Sequence, residues 1–334
     1  MPPRLALLAA VGLIVWLFHR DRRLRRAPSL ALLVPGAWLA ILGTRPMANW
    51  YGPEANAAAT DLEGNVVNLV VLGFLILSAF VVLRQREFHW SEFIRNNKAL
   101  VAVYLYLAVS TFWSDYTFVA LKRLAKDFGC VAMILVLLTQ ENPLESIRIV
   151  FVRCAYLIFP LSVVTIKYYP DIGRNFSQWG DQMYTGLTMQ KNSLGQVVLV
   201  FGMMLIWDML ELWRDREELA DQQTEIGIRV GMLLMGVWLL LVSNSKTALL
   251  CLVLGGVILW GTKHLMRLGH PQQVMACVIA AAVVLGVLEW SFGISDMLIG
   301  WLGRDKTLTG RMDIWRAVNQ QVTDPIYRDR KSVV

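Results

Sequence analysis

Long apolar stretches alternate with short polar ones along most of the chain, as in the runs Val66–Leu83 and Gln273–Leu288. Such stretches read as membrane-spanning helices, which need about 17–25 mostly apolar residues to cross the hydrocarbon layer. About ten spans are expected on that requirement, with cores near residues 4–18, 29–43, 66–83, 99–113, 118–139, 147–168, 194–213, 227–243, 247–262 and 273–293. The first two are short, and the fifth is interrupted by Lys122, Arg123 and Lys126. The pattern predicts an all-α, polytopic helical membrane protein: a bundle over residues 1–293, then the start of a loop domain over 294–334.

Loop charge orients this bundle, because short cytoplasmic loops collect Lys and Arg. Five arginines follow the first span (Arg20, Arg22, Arg23, Arg25, Arg26). Arg84, Arg86, Arg95 and Lys98 follow the third, Arg214, Arg216 and Arg229 the seventh, and Lys263 and Arg267 the ninth. These loops are expected in the cytoplasm. The opposite loops are then outside: 44–65, the turn at Trp113-Ser114-Asp115, 169–193, the turn at 243–247 and the chain after about 294. The cations near the start of the fifth span fit this scheme only if that helix lies partly in the interface or faces a polar cavity. Leu5–Phe18 is too basic on its far side, and lacks a small-residue cleavage site, to be a signal peptide, so it is expected to be retained.

Composition supports the membrane class. The chain has 334 residues, 56% of them hydrophobic, with mean hydropathy +0.49. A soluble domain rarely has this balance. The formal charge of +7 sits in short clusters between apolar runs, so it reads as topology and not as a nucleic-acid surface. Cys130, Cys154, Cys251 and Cys277 all fall in apolar runs without CxxC spacing, and read as small core or lipid-facing residues. No metal-ligand cluster, P-loop or dinucleotide fingerprint is present.

Three polar motifs interrupt the pattern: Gln190-Lys191-Asn192-Ser193-Leu194-Gly195, Ser243-Asn244-Ser245-Lys246-Thr247 and Leu308-Thr309-Gly310-Arg311. Each places a cation in or just before the first turn of an expected helix. Helix N-termini already carry partial positive charge, so a cation there is unfavourable unless an anion compensates it. In the first motif Asn192 or Ser193 is expected to cap the helix, and Gly195 to admit a close neighbour. In the second, Asn244 and Ser245 are expected to cap the following helix, with Ser243 and Thr247 as further donors. In the third, Thr309 is the expected cap of an amphipathic helix with Ile314, Val318 and Val322 on one face and Trp315 beside it. Each motif alone also fits a plainer reading: a snorkelling lysine, a hairpin turn, or an interfacial helix on lipid headgroups. All three fall on the expected outer side, whereas His19, His89, His264 and His270 fall on the inner side. Asp171, Asp181, Asp305 and Asp313 are outer carboxylates, each a candidate general base.

At these residues the chain resembles the O-antigen ligase and polymerase family of bacterial envelope proteins. The resemblance is carried by Lys191-Asn192-Ser193-Leu194-Gly195, by Ser243–Leu249, and by Leu308-Thr309-Gly310-Arg311 through Ile314-Trp315, with the Trp113-Ser114 turn also similar. Order, spacing and side agree over about residues 100–318. It implies a GT-C-type glycosyltransferase of the inner membrane with its site facing the periplasm. The implied donor is a glycan on undecaprenyl pyrophosphate. The acceptor would be lipid A core for a ligase or another lipid-linked glycan for a polymerase, with no cofactor and no nucleotide sugar. Lys191, Lys246 and Arg311 would clamp and stabilise the departing pyrophosphate, with Asn192, Ser243, Ser245, Thr309 and Trp315 as substrate contacts. Family members continue into a large outer domain with a histidine-asparagine element, whereas this sequence ends at Arg328–Val334 without one. It is therefore expected to be a fragment or to carry an altered tail, with the general base missing. Two other readings remain open: a lipid-linked glycan flippase and a non-catalytic assembly subunit. The clustering of cations on one side counts against the flippase.

Overall fold

The computed structural model describes residues 2–24, 29–50, 66–176, 180–214, 222–265 and 315–319. It divides into two units, Met1–Val257 and Ile258–Val334. The first is a helical bundle. Its helices are α1 (Pro3–Leu24), α2 (Leu33–Leu42), α3 (Val66–Gln85), α4 (Trp90–Asn96), α5 (Lys98–Ser110), α6 (Thr117–Leu138), α7 (Pro143–Tyr168), α8 (Pro170–Gly173), α9 (Lys191–Arg214), α10 (Gln222–Val242) and α11 (Lys246–Leu265), the last running on into the second unit. In that second unit the other described residues are the helical stretch 315–319.

Five of these helices, α1, α3, α7, α9 and α10, are long and apolar enough to cross a membrane, and Leu30–Leu42, Lys98–Trp113 and Lys246–Gly261 are shorter apolar helices. The membrane class expected from hydropathy is thus present among the described residues, where five helices have full spanning length and three apolar ones are shorter. The expected fifth span is α6, whose first half carries Lys122, Arg123, Lys126 and Asp127. The expected tenth span, 273–293, lies outside the described residues. One departure from an all-α fold is a small antiparallel hairpin between α8 and α9, β1 (Arg174–Phe176) and β2 (Gln182–Tyr184), with Asn175 opposite Met183.

Helix α7 is the central element. In its most apolar stretch 72% of residues are buried, against 17% for α3, so α7 is surrounded by protein while α3 presents most of its surface outward. Val152, Ala155, Ile158 and Phe159 of α7 pack with Leu194, Val198, Phe201 and Leu205 of α9, Leu239 and Leu240 of α10, and Ala248 and Leu252 of α11. A second core joins Trp38 of α2, Leu75, Ala79 and Leu83 of α3, and Ala132 and Val136 of α6. Gly129 makes that junction possible: a Cβ there would lie 2.6 Å from the Trp38 ring and 2.9 Å from Ile76.

A charge network ties together one end of the first core. Arg153 of α7 binds Asp21 of α1 at 2.7 Å, and Arg148 binds Glu145 at 2.7 Å and Asp208 of α9 at 3.0 Å. Arg229 of α10 binds Asp208 at 2.9 Å and also Glu225, which in turn meets Arg20 of α1. Four arginines and four carboxylates from four helices thus neutralise one another. Asp208, Glu225 and Arg229 are each at most 2% exposed. Charges at such positions are tolerated in an apolar bundle only when paired, since an isolated one costs several kcal/mol. This corrects the orientation count. Arg20 and Arg229 lie inside helices and are spent on buried partners, so neither adds to loop charge.

Candidate functional site

The end of the bundle away from this network carries Lys191 and Lys246. Helix α9 starts at Lys191, with the Leu194 amide donating to the Gln190 carbonyl at 3.1 Å. Gln190 therefore occupies the capping position expected for Asn192 or Ser193, and those two residues sit inside the first turn. Asn192 is exposed, Ser193 and Lys191 half-buried. The shift is one of helix boundary, set by the segment before it: the Thr188 hydroxyl donates to the Thr185 carbonyl at 2.8 Å and bonds the Gln190 carbonyl at 2.9 Å.

The second motif closes one helix and opens the next. Asn244 has φ +53°, its amide donates to the Leu241 carbonyl at 3.1 Å, and the Ser245 amide donates to the Leu240 carbonyl at 3.0 Å. This pair of bonds, with a left-handed residue just past the helix, is the Schellman closure, and asparagine tolerates that conformation. Asn244 thus terminates α10, where a cap for the following helix was expected. Ser245 does begin α11, its carbonyl accepting from the Leu249 amide at 3.0 Å. Ser243 is buried, and its hydroxyl donates to the Leu240 carbonyl at 3.2 Å. Lys246 is half-buried in the first turn of α11 and Thr247 is exposed.

The two motifs meet. A Cβ on Gly195 would collide with the Ser245 side chain and lie 3.4 Å from Ala248. The approach continues along both helices: a Cβ on Gly202 would lie 3.0 Å from Leu252, one on Gly255 within 2.5 Å of Met203, and one on Gly256 3.3 Å from Ile206. Residue numbers rise together on both sides of this seam, so α9 and α11 run parallel and their N-termini lie side by side. Small residues at a helix interface permit such closeness. Lys191 and Lys246 therefore share one end, at two helix N-termini that lie side by side. Both features attract an anion.

Three further cations at this end were not singled out in the sequence. Arg45, just after α2, donates to the carbonyls of Ile172 and Thr188, the latter at 3.3 Å, and its amide donates to the Leu187 carbonyl at 2.8 Å. Its guanidinium lies 5.5 Å from the Trp50 ring. Burial lowers its pKa from the ordinary arginine value, yet a guanidinium stays charged at neutral pH. Arg174 donates to the Ile166 carbonyl at 2.9 Å and lies over Tyr184, and Lys167 lies 5.3 Å from the Trp238 ring. Arg45 staples the segment leading into Lys191 onto α2, a long-range contact between positions over 120 residues apart that local patterns do not show.

Asp171 and Asp181 are exposed at the same end. Thr309, Arg311, Asp305 and Asp313 lie outside the described residues. Trp315, in the second unit, is helical and 64% exposed. His19 and His89 are exposed near the network end.

The class this fold defines is a helical membrane protein. No protein-family model, curated protein or solved structure matches the chain.

Proposed function

We propose that the chain is a GT-C-like membrane glycosyltransferase of the bacterial inner membrane, an O-antigen ligase or polysaccharide polymerase, using a glycan carried on undecaprenyl pyrophosphate at a periplasm-facing site. The observation that supports it most is the contact of Gly195 with Ser245, which joins two lysine-bearing helix N-termini. One dianionic diphosphate complements both lysines and both helix ends.

In this reading Lys191 and Lys246 hold the pyrophosphate, and Arg311 is the third cation. Asn192, Ser245 and Thr309 donate hydrogen bonds to donor oxygens, Ser243 fixes the turn that presents Ser245 and Lys246, and Trp315 contacts a sugar. An acceptor hydroxyl, on lipid A core or on a second lipid-linked glycan, attacks the anomeric carbon of the donor. The carbon–oxygen bond to pyrophosphate breaks as the new glycosidic bond forms, and the hydroxyl proton passes to a base. Charge grows on the departing pyrophosphate, so fixed cations there lower the barrier.

Glycan transfer in cells carrying Lys191→Ala, Lys246→Ala or Arg311→Ala tests this. Each is expected to lose transfer by about a hundredfold or more while inserting at normal abundance. Unaltered transfer in all three would favour a non-catalytic assembly role. Loss of lipid-linked glycan appearance across the membrane, with transfer chemistry intact in extracts, would favour a flippase.

A further inference from the structure

The first half of α6 carries a cationic face that the site at Lys191 and Lys246 does not use. Lys122, Arg123 and Lys126 fall within five residues, at spacings that place them along one side of the helix. Arg123 and Lys126 are exposed, and Lys122 is half-buried with its ammonium 4.3 Å from the Phe118 ring centre. Asp127, the next residue along, is also exposed.

The surroundings are apolar. Phe112, Trp113, Tyr116 and Phe118, just before and in the first turn, are each at least 59% exposed. An exposed cluster of this kind marks a membrane–water boundary. From there α6 runs inward: its second half, including Ala132, Met133, Leu135 and Val136, is buried against α2 and α3. Lys126 lies nine residues into the helix, a rise of about 13 Å. A cation that deep on an outward-facing surface is costly in bare hydrocarbon, and it is too far along for simple snorkelling from a helix end.

We infer that this half of α6 binds the phosphate headgroup of an anionic membrane lipid, whose acyl chains lie on the apolar residues alongside. Charge complementarity selects the headgroup, and the exposed apolar flank selects a lipid over a soluble anion. The site is independent of the reading given to Lys191 and Lys246.

The test is lipid retention by the purified full chain, read by native mass spectrometry with phosphatidylglycerol and with phosphatidylcholine. The chain is expected to retain phosphatidylglycerol preferentially. The combined variant Lys122→Gln, Arg123→Gln and Lys126→Gln should weaken that retention about tenfold or more. The variant Arg22→Gln with Arg23→Gln, which removes two exposed cations at the far end of α1, should not. Should the triple variant fail to fold, as judged by its melting temperature, Lys126→Gln alone should still give a partial loss. Equal retention of both lipids, unchanged retention in the variants, or full competition by inorganic phosphate would each overturn the proposal.

Discussion

Gly195 shows how one residue decides whether the two lysine motifs meet. A glycine in a helix costs about 1 kcal/mol relative to alanine, yet a Cβ here would strike Ser245. Gly195→Ala is therefore expected to lower stability by about 1–3 kcal/mol, the usual range for overpacking a tight contact. Ser245→Gly in the same chain should recover most of the loss, because it removes the atoms struck. Thermal melting of the single and double variants in detergent checks this. Equal melting of Gly195→Ala and the parent would mean that the helices are not in contact there. This approach was partly legible: a glycine four residues past a lysine at a helix start signals a close neighbour, but not which one. Ser245 lies 50 positions away in the sequence, and only the packing of α9 on α11 identifies it.

At the scale of elements, apolar runs were the most readable feature. The described spans fall on helices because a long run of Leu, Val and Ile in lipid can satisfy its backbone only within itself. Helix ends were less readable. Asn244 was expected to open α11 and instead closes α10, because the same residue type serves both an N-cap and a left-handed C-terminal position. Charged residues inside helices were the least legible. Arg229 was counted as a loop charge, although α10 buries it between Asp208 and Glu225. Its pairing depends on Asp208 from a different helix. The network predicts an asymmetry: Arg229→Met leaves Asp208 and Glu225 each with one arginine fewer and should cost about 3–5 kcal/mol. Adding Asp208→Asn should restore part of it, because Arg148 keeps Glu145 and Glu225 keeps Arg20. Urea or thermal unfolding of the single and double variants reads this, and a single variant as stable as the parent would show that the ion pairs do not hold the helices.

For the whole molecule, the two ends of the bundle place their buried and half-buried cations differently. At one end Arg20, Arg148, Arg153 and Arg229 are matched one for one by carboxylates, closing α1, α7, α9 and α10 together. At the other, Arg45, Lys167, Arg174, Lys191 and Lys246 gather around carbonyls, aromatic rings and helix N-termini. The paired network is a scaffold, and the cations grouped at the other end are suited to an anion. The hydropathy pattern and the two described motifs, at Lys191 and at Lys246, pointed to that second end, because each breaks an apolar run with the same chemistry. Arg45, and the network's links through Asp21, Asp208 and Arg20, stayed hidden because those partners lie far off in the chain.

The most direct measurement is a double-mutant cycle on binding of undecaprenyl pyrophosphate to the purified chain, using the parent, Lys191→Ala, Lys246→Ala and the double variant. If both lysines hold the same diphosphate, each single change should weaken binding about tenfold or more, with the double change departing from additivity by at least about 0.5 kcal/mol. Strictly additive losses, or affinity unchanged in either single variant, would contradict a shared site.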